Sequence, residues 1–121
     1  MKLHEHSQAR MNLVGRYGPG EIWINERSFK APLVVALGFL LEDWISEIEK
    51  LEPETLAPLW VLDPRIVLLG VDPRPAQRVK ELRALLAARQ VALEAMDLGA
   101  ACRTYNVLAQ EDRAVVALLF P

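Results

Sequence analysis

Hydrophobic and polar positions fall into two different periods along this chain. Arg65–Gly70, Val91–Met96 and Val115–Phe120 are short apolar runs bounded by turn or polar residues, and they read as buried strands. Between the first two, Val79, Leu82, Leu85 and Leu86 recur at helical spacing after the rigid turn Asp72–Pro75, with Lys80, Glu81 and Arg83 mostly off the stripe. Between the second and third, Leu98, Ala101, Tyr105 and Leu108 step by three, four and three, which predicts a helix from about Leu98 to Gln110. Gly99, Arg103, Asn106 and Gln110 make a second, polar stripe on that helix.

The first half reads differently. Tyr17–Gly20 is turn chemistry, Glu21–Asn25 is rich in strand formers, and Asn25–Ser28 reads as a hairpin turn. Pro32–Leu37 is a further buried-strand run, so the sheet is expected to start antiparallel. Leu41, Trp44, Ile45, Ile48 and Leu51 have helical spacing, and Glu52–Glu54 resembles the start of a short helix ending near Trp60. Strands alternating with helices after a hairpin predict an α/β fold on a mixed sheet.

At 121 residues, with 52% of them hydrophobic, the chain is expected to form a single domain, with residues 1–12 a flexible N-terminal tail. Fourteen bases against sixteen acids leave a net charge of −2, which argues against nucleic acid as a partner. The charges are nonetheless segregated. Glu42–Glu54 is acidic and Arg65–Arg89 is basic, so homo-oligomer contacts between the zones are one reading and two solvated faces the other. The single cysteine supports no internal disulfide, and the polar start lacks a signal segment; a cytoplasmic protein is expected. Ala31–Leu41, the longest run free of polar side chains, is too short to cross a bilayer, and no direct membrane insertion is expected.

Candidate chemistry concentrates in Ala101–Asn106. Cys102 and Asn106 lie one helical turn apart with Arg103 beside them, an arrangement that suits a thiol nucleophile activated by a cation. A base is missing, because His4 and His6 both sit at the extreme start; a small buried Cys102 is the favoured alternative. Arg103 beside Tyr105 suits anion or protein recognition, or a salt bridge to Glu94 or Asp97, and Asp97 itself reads as a helix N-cap. Gly70–Pro73 follows a buried strand, where open α/β sheets bind ligands, but Asp72 opposes phosphate. No catalytic set, metal site or cofactor is assigned: the HxH pair of His4 and His6 has no further ligands nearby in sequence. Trp23, Trp44 and Trp60 read as core or interface anchors rather than a base-stacking platform.

Val67–Gly70, Met96–Asp97, the string Ala100–Asn106 (AACRTYN) and Glu111–Arg113 together resemble the uncharacterised proteins related to mitochondrial complex I assembly factor 3, over about Val14 to Leu119. Relatives typically carry Gly-Thr-Gly at the positions of Gly70–Asp72 and Glu-Gly-Arg at Glu111–Arg113. The resemblance implies a single three-layer α/β domain with helices packed on a mixed sheet and an N-terminal β-hairpin. It also favours a loop or short strand for Leu41–Leu51. By the same resemblance the binding surface comprises Cys102, Arg103, Tyr105 and Asn106, with Gly70 at the facing turn. The resulting expectation is a non-enzymatic factor that binds other proteins, such as respiratory-complex subunits or assembly factors. The alternative is a small-molecule-binding protein or enzyme with its pocket between the Gly70 turn and the Cys102 helix.

Overall fold

The computed structural model describes residues 2–5 and 11–121, with side chains from residue 11 onward. Nine strands and three α-helices occur among them in the order β1 (Lys2–Glu5), β2 (Val14–Gly18), β3 (Glu21–Ile24), β4 (Arg27–Phe29), β5 (Leu33–Ala36), β6 (Phe39–Glu42), α1 (Ala57–Leu62), β7 (Ile66–Gly70), α2 (Ala76–Ala87), β8 (Ala92–Met96), α3 (Leu98–Gln110) and β9 (Val115–Leu119). A six-stranded mixed sheet has the order β1-β6-β5-β9-β7-β8, and β2-β3-β4 forms a separate antiparallel sheet. β1, β6, β5 and β9 pair antiparallel, whereas β7 pairs parallel with both β9 and β8.

The parallel half dictates the layering. The chain moves outward from β7 to β8 through α2, then back past β7 to β9 through α3. Crossovers keep one hand, so reversing the direction of travel puts the two helices on opposite faces. β9 displays the result at period two: Val116, Leu118 and Phe120 enter the core under α1 and α2, and Val115, Ala117 and Leu119 enter the core under α3. The β2-β3-β4 sheet closes the second core with Ile22, Ile24 and Phe29. The expected three-layer α/β fold with a mixed sheet and an N-terminal hairpin is the fold observed.

Three expectations are corrected. Leu41–Leu51 is not the helix that its spacing suggests but follows the loop and short strand that the resemblance favours: the end of β6 is followed by a loop and a single 3-10 turn at Ile48–Lys50, with Asp43 at a left-handed φ of 57°. Leu41, Ile48 and Leu51 enter one core, so their spacing reports a shared destination instead of a shared helix. The helix expected from Glu52 begins later, at Ala57, because the Glu52 amide donates to Thr55 Oγ1 at 2.9 Å and the intervening residues form turns. Lys2–Glu5, placed in a flexible tail, forms β1 and pairs with β6 from Lys2↔Glu42 to Glu5↔Phe39. Asn12, also assigned to that tail, is fully buried. His6 lies outside the described residues, so the HxH pair is not a described feature.

Candidate functional site

α3 sits so close to the central sheet that Gly70 is required at the end of β7. A Cβ there would stand 2.6 Å from Ala101 Cβ and 3.2 Å from Leu119 Cδ2. Gly99, two residues before Ala101 on α3, leaves similar room for Tyr17, whose Cε2 would lie 2.9 Å from an added Cβ. The helix start is capped by acids: Asp97 Oδ1 accepts from the Ala100 amide at 2.7 Å, and Asp72 Oδ2 accepts from the Leu98 amide at 3.2 Å. Two carboxylates thus occupy the positive end of the helix, which disfavours a phosphate there. Ala101 fills the space directly against Gly70, and beside it a cleft of about 500 Å³ opens between the Asp72 turn and the start of α3, lined by Tyr17, Pro19, Asp72, Leu98, Gly99 and Phe120 among others.

Arg103, Tyr105 and Asn106 of AACRTYN turn towards the chain's own segment 12–17, while Thr104 Oγ1 donates to Met96 Sδ at 3.6 Å. Tyr105 Oη donates to the Asn12 carbonyl at 2.7 Å in the core. Asn106 accepts from the Val14 amide through Oδ1 and donates to the Val14 carbonyl through Nδ2, both at 2.8 Å, so one side-chain amide pairs with β2 as a neighbouring strand would. Arg103 donates to Tyr17 Oη. Asn12 extends the seam to the main sheet, its amide donating to Leu37 O at 2.9 Å and its Nδ2 to Ala36 O at 3.0 Å. The string is therefore an internal seam joining α3 to β2, and the anticipated Arg103 salt bridge to Glu94 or Asp97 gives way to the tyrosine.

Burial decides which expected site residues can meet a partner. Cys102 is 1% exposed and Tyr105 0%, so neither contributes to an open surface. Burial pushes the Cys102 thiol up to about 11, outweighing the opposing pull of the Arg103 charge. A thiol held protonated in the core is the opposite of an activated nucleophile. Burial likewise pushes the Tyr105 phenol up. Asn106 is half-buried and committed to Val14, and Arg103 alone of the α3 group is exposed.

An open feature that sequence reasoning missed lies at the other end of the sheet. The β5–β6 turn, α1 and the turn after α3 enclose an apolar groove of about 840 Å³, lined by Leu37, Phe39, Pro58, Val61 and Leu62 among others. Val61 is 85% exposed, the most exposed large hydrophobic residue described. Asp112 and Arg113 are charged lining residues from the turn after α3. Asp112 has φ 59°, and the amides of Arg113 and Asp112 bond the Leu108 and Ala109 carbonyls at 3.0 and 3.1 Å, closing α3 with paired C-terminal bonds. Glycine suits that left-handed position, which accounts physically for the Glu-Gly-Arg form expected in relatives. No sequence signal pointed to the groove, because its walls come from three separated segments. The tryptophans are covered, Trp23 by Arg16 at 4.1 Å and Trp60 by Arg89 at 4.2 Å, while Trp44 stacks obliquely on Phe120 at 6.3 Å.

A family model described as a protein of unknown function (DUF498/DUF598) matches residues 14–120. The chain belongs to this family. A Danio rerio protein named NADH dehydrogenase (ubiquinone) 1 alpha subcomplex assembly factor 3 is 29% identical over 87% of this chain and 62% of that protein. The chain thus spans less than two thirds of that relative's length. A Francisella tularensis protein named 13 kDa major membrane protein is 26% identical over 98% of both chains. The solution structure of a Xanthomonas campestris protein superposes with a TM-score of 0.79 at 28% identity, covering 99% of this chain and 92% of that one. The resemblance to the assembly-factor relatives is borne out. Among the described residues no helix is long and apolar enough to cross a membrane.

Proposed function

We propose that this chain is a non-enzymatic protein-binding factor that serves the assembly or stability of a respiratory or membrane complex in the cytoplasmic compartment. The carrying observation is the open apolar groove beside α1, with Val61 85% exposed at its wall. Contiguous exposed apolar surface marks protein interaction sites in soluble domains. The inert Cys102 and the filled space at Gly70 support a binding role over thiol catalysis. The relatives named as assembly factors for NADH dehydrogenase supply the class of partner. Arg103, exposed and held by Tyr17, is the part of the α3 group placed to add a polar contact.

The test is affinity purification of the tagged full chain from its own cells, comparing wild type with Val61→Glu and Arg103→Glu by quantitative mass spectrometry. Respiratory-complex or other membrane-complex subunits enriched on wild type and depleted on Val61→Glu are the expected result. Equal recovery on all three chains, with unchanged thermal stability, overturns the groove as the docking site.

A further inference from the structure

β8 closes one side of the six-stranded sheet, pairing among the described residues only with β7. The Ala92 amide donates to Arg65 O and the Met96 carbonyl accepts from Val71 N, so even-numbered residues of β8 face β7. By the period-two rule the amides and carbonyls of Leu93 and Ala95 face outward. Such a row is a template for another strand unless it is guarded. The guard here is light. Arg83 Nη2 reaches the Leu93 carbonyl at 3.5 Å and Arg74 Nη1 reaches the Ala95 carbonyl at 3.4 Å, both at the outer limit of hydrogen-bond length and both from exposed side chains. Glu94 is exposed and points to the other face, with no cation in ion-pair range among the described residues.

We propose that the β8 edge is a second docking site that takes an extended segment of a partner protein carrying an acidic, a basic and an acidic residue in succession. Added as a strand, the segment supplies amide donors to the Leu93 and Ala95 carbonyls and frees the two guanidinium groups. Residues opposite Leu93 and Ala95 share their face, where the freed Arg83 and Arg74 pair with carboxylates. The residue between them lies on the Glu94 face, where a lysine or arginine is matched and a third acid is repelled. Charge complementarity therefore fixes both occupant and register, and it gives the basic stretch Arg65–Arg89 a use. The proposal is independent of the Val61 groove.

The test is titration of the ¹⁵N-labelled full chain with Ac-Thr-Val-Glu-Lys-Glu-Val-Thr-amide and with its charge-swapped form containing Lys-Glu-Lys. The first peptide should shift the Leu93 and Ala95 amides and bind at least tenfold more tightly than the second. Arg74→Glu/Arg83→Glu, both at exposed positions, should reverse that order. Equal affinities, shifts mapping to Val61 and Phe39, or β8 shifts that appear on concentrating the protein alone and so report a second copy, each overturn the proposal.

Discussion

α2 and α3 pack on opposite faces of one sheet, yet they use their polar residues in opposite ways. Arg103, Tyr105 and Asn106 on α3 reach segment 12–17, whereas Arg83 on α2 stays exposed and touches only the outward carbonyl of Leu93. The difference follows from cover. α3 lies beneath the β2-β3-β4 sheet, so its polar groups lose water and must find partners within the chain. α2 has solvent beyond most of its polar face: half-buried Arg78 donates to the Leu51 carbonyl and pairs with Glu81, while exposed Arg83 is left with no side-chain partner among the described residues. A specific-looking string on a covered helix therefore records the fold, and the less specific charges on an open helix are the ones free to meet a partner.

Several measurements sharpen or break this contrast. Gly70→Ala, which drives a methyl to 2.6 Å from Ala101 Cβ, should cost about 2–3 kcal/mol in chemical denaturation; a loss under half of that would mean α3 is free to move off the sheet. Alkaline pH should act on the same core. The Cys102 thiol rises from 9.0 to about 11 on folding, so its contribution is intact below pH 9 and is lost as pH rises towards 11. A decline of about 2 kcal/mol over that interval follows, and Cys102→Ala should flatten it.

Smaller effects lie further from the covered core. Tyr105→Phe leaves the Asn12 carbonyl without its phenol donor and should cost about 1–2 kcal/mol, with faster hydrogen exchange along β2. Asp112→Gly relieves a left-handed aspartate at the end of α3 and should stabilise by about 0.5 kcal/mol; a destabilisation would show that the side chain has an uncounted role. Arg83→Glu, on the open helix, should change the thermal midpoint least, by the equivalent of under about 0.5 kcal/mol.

Much of the second half was legible because its elements are local. The limits of α3 and the apolar stripe Leu98, Ala101 and Tyr105 follow from spacing alone, and Asp97 acts as the N-cap its position suggests. Leu41–Leu51 misled because burial in a loop produced helical spacing by accident. Asn12 and Tyr17 gave no signal at all: their partners on α3 lie 93 and 86 residues away, and no periodicity spans such a separation.

The sequence by itself determined the α/β alternation of the second half and the placement of α2 and α3, since each depends on interactions within a few residues. It also carried the family in AACRTYN. The tertiary structure alone decided what that string does. Whether an arginine, tyrosine or asparagine faces a partner or the chain's own backbone depends on which segment covers it, and that cover arrives from the far end of the chain. The same holds for the apolar groove and the β8 edge, whose openness is a property of what packs beside them and of no residue taken alone.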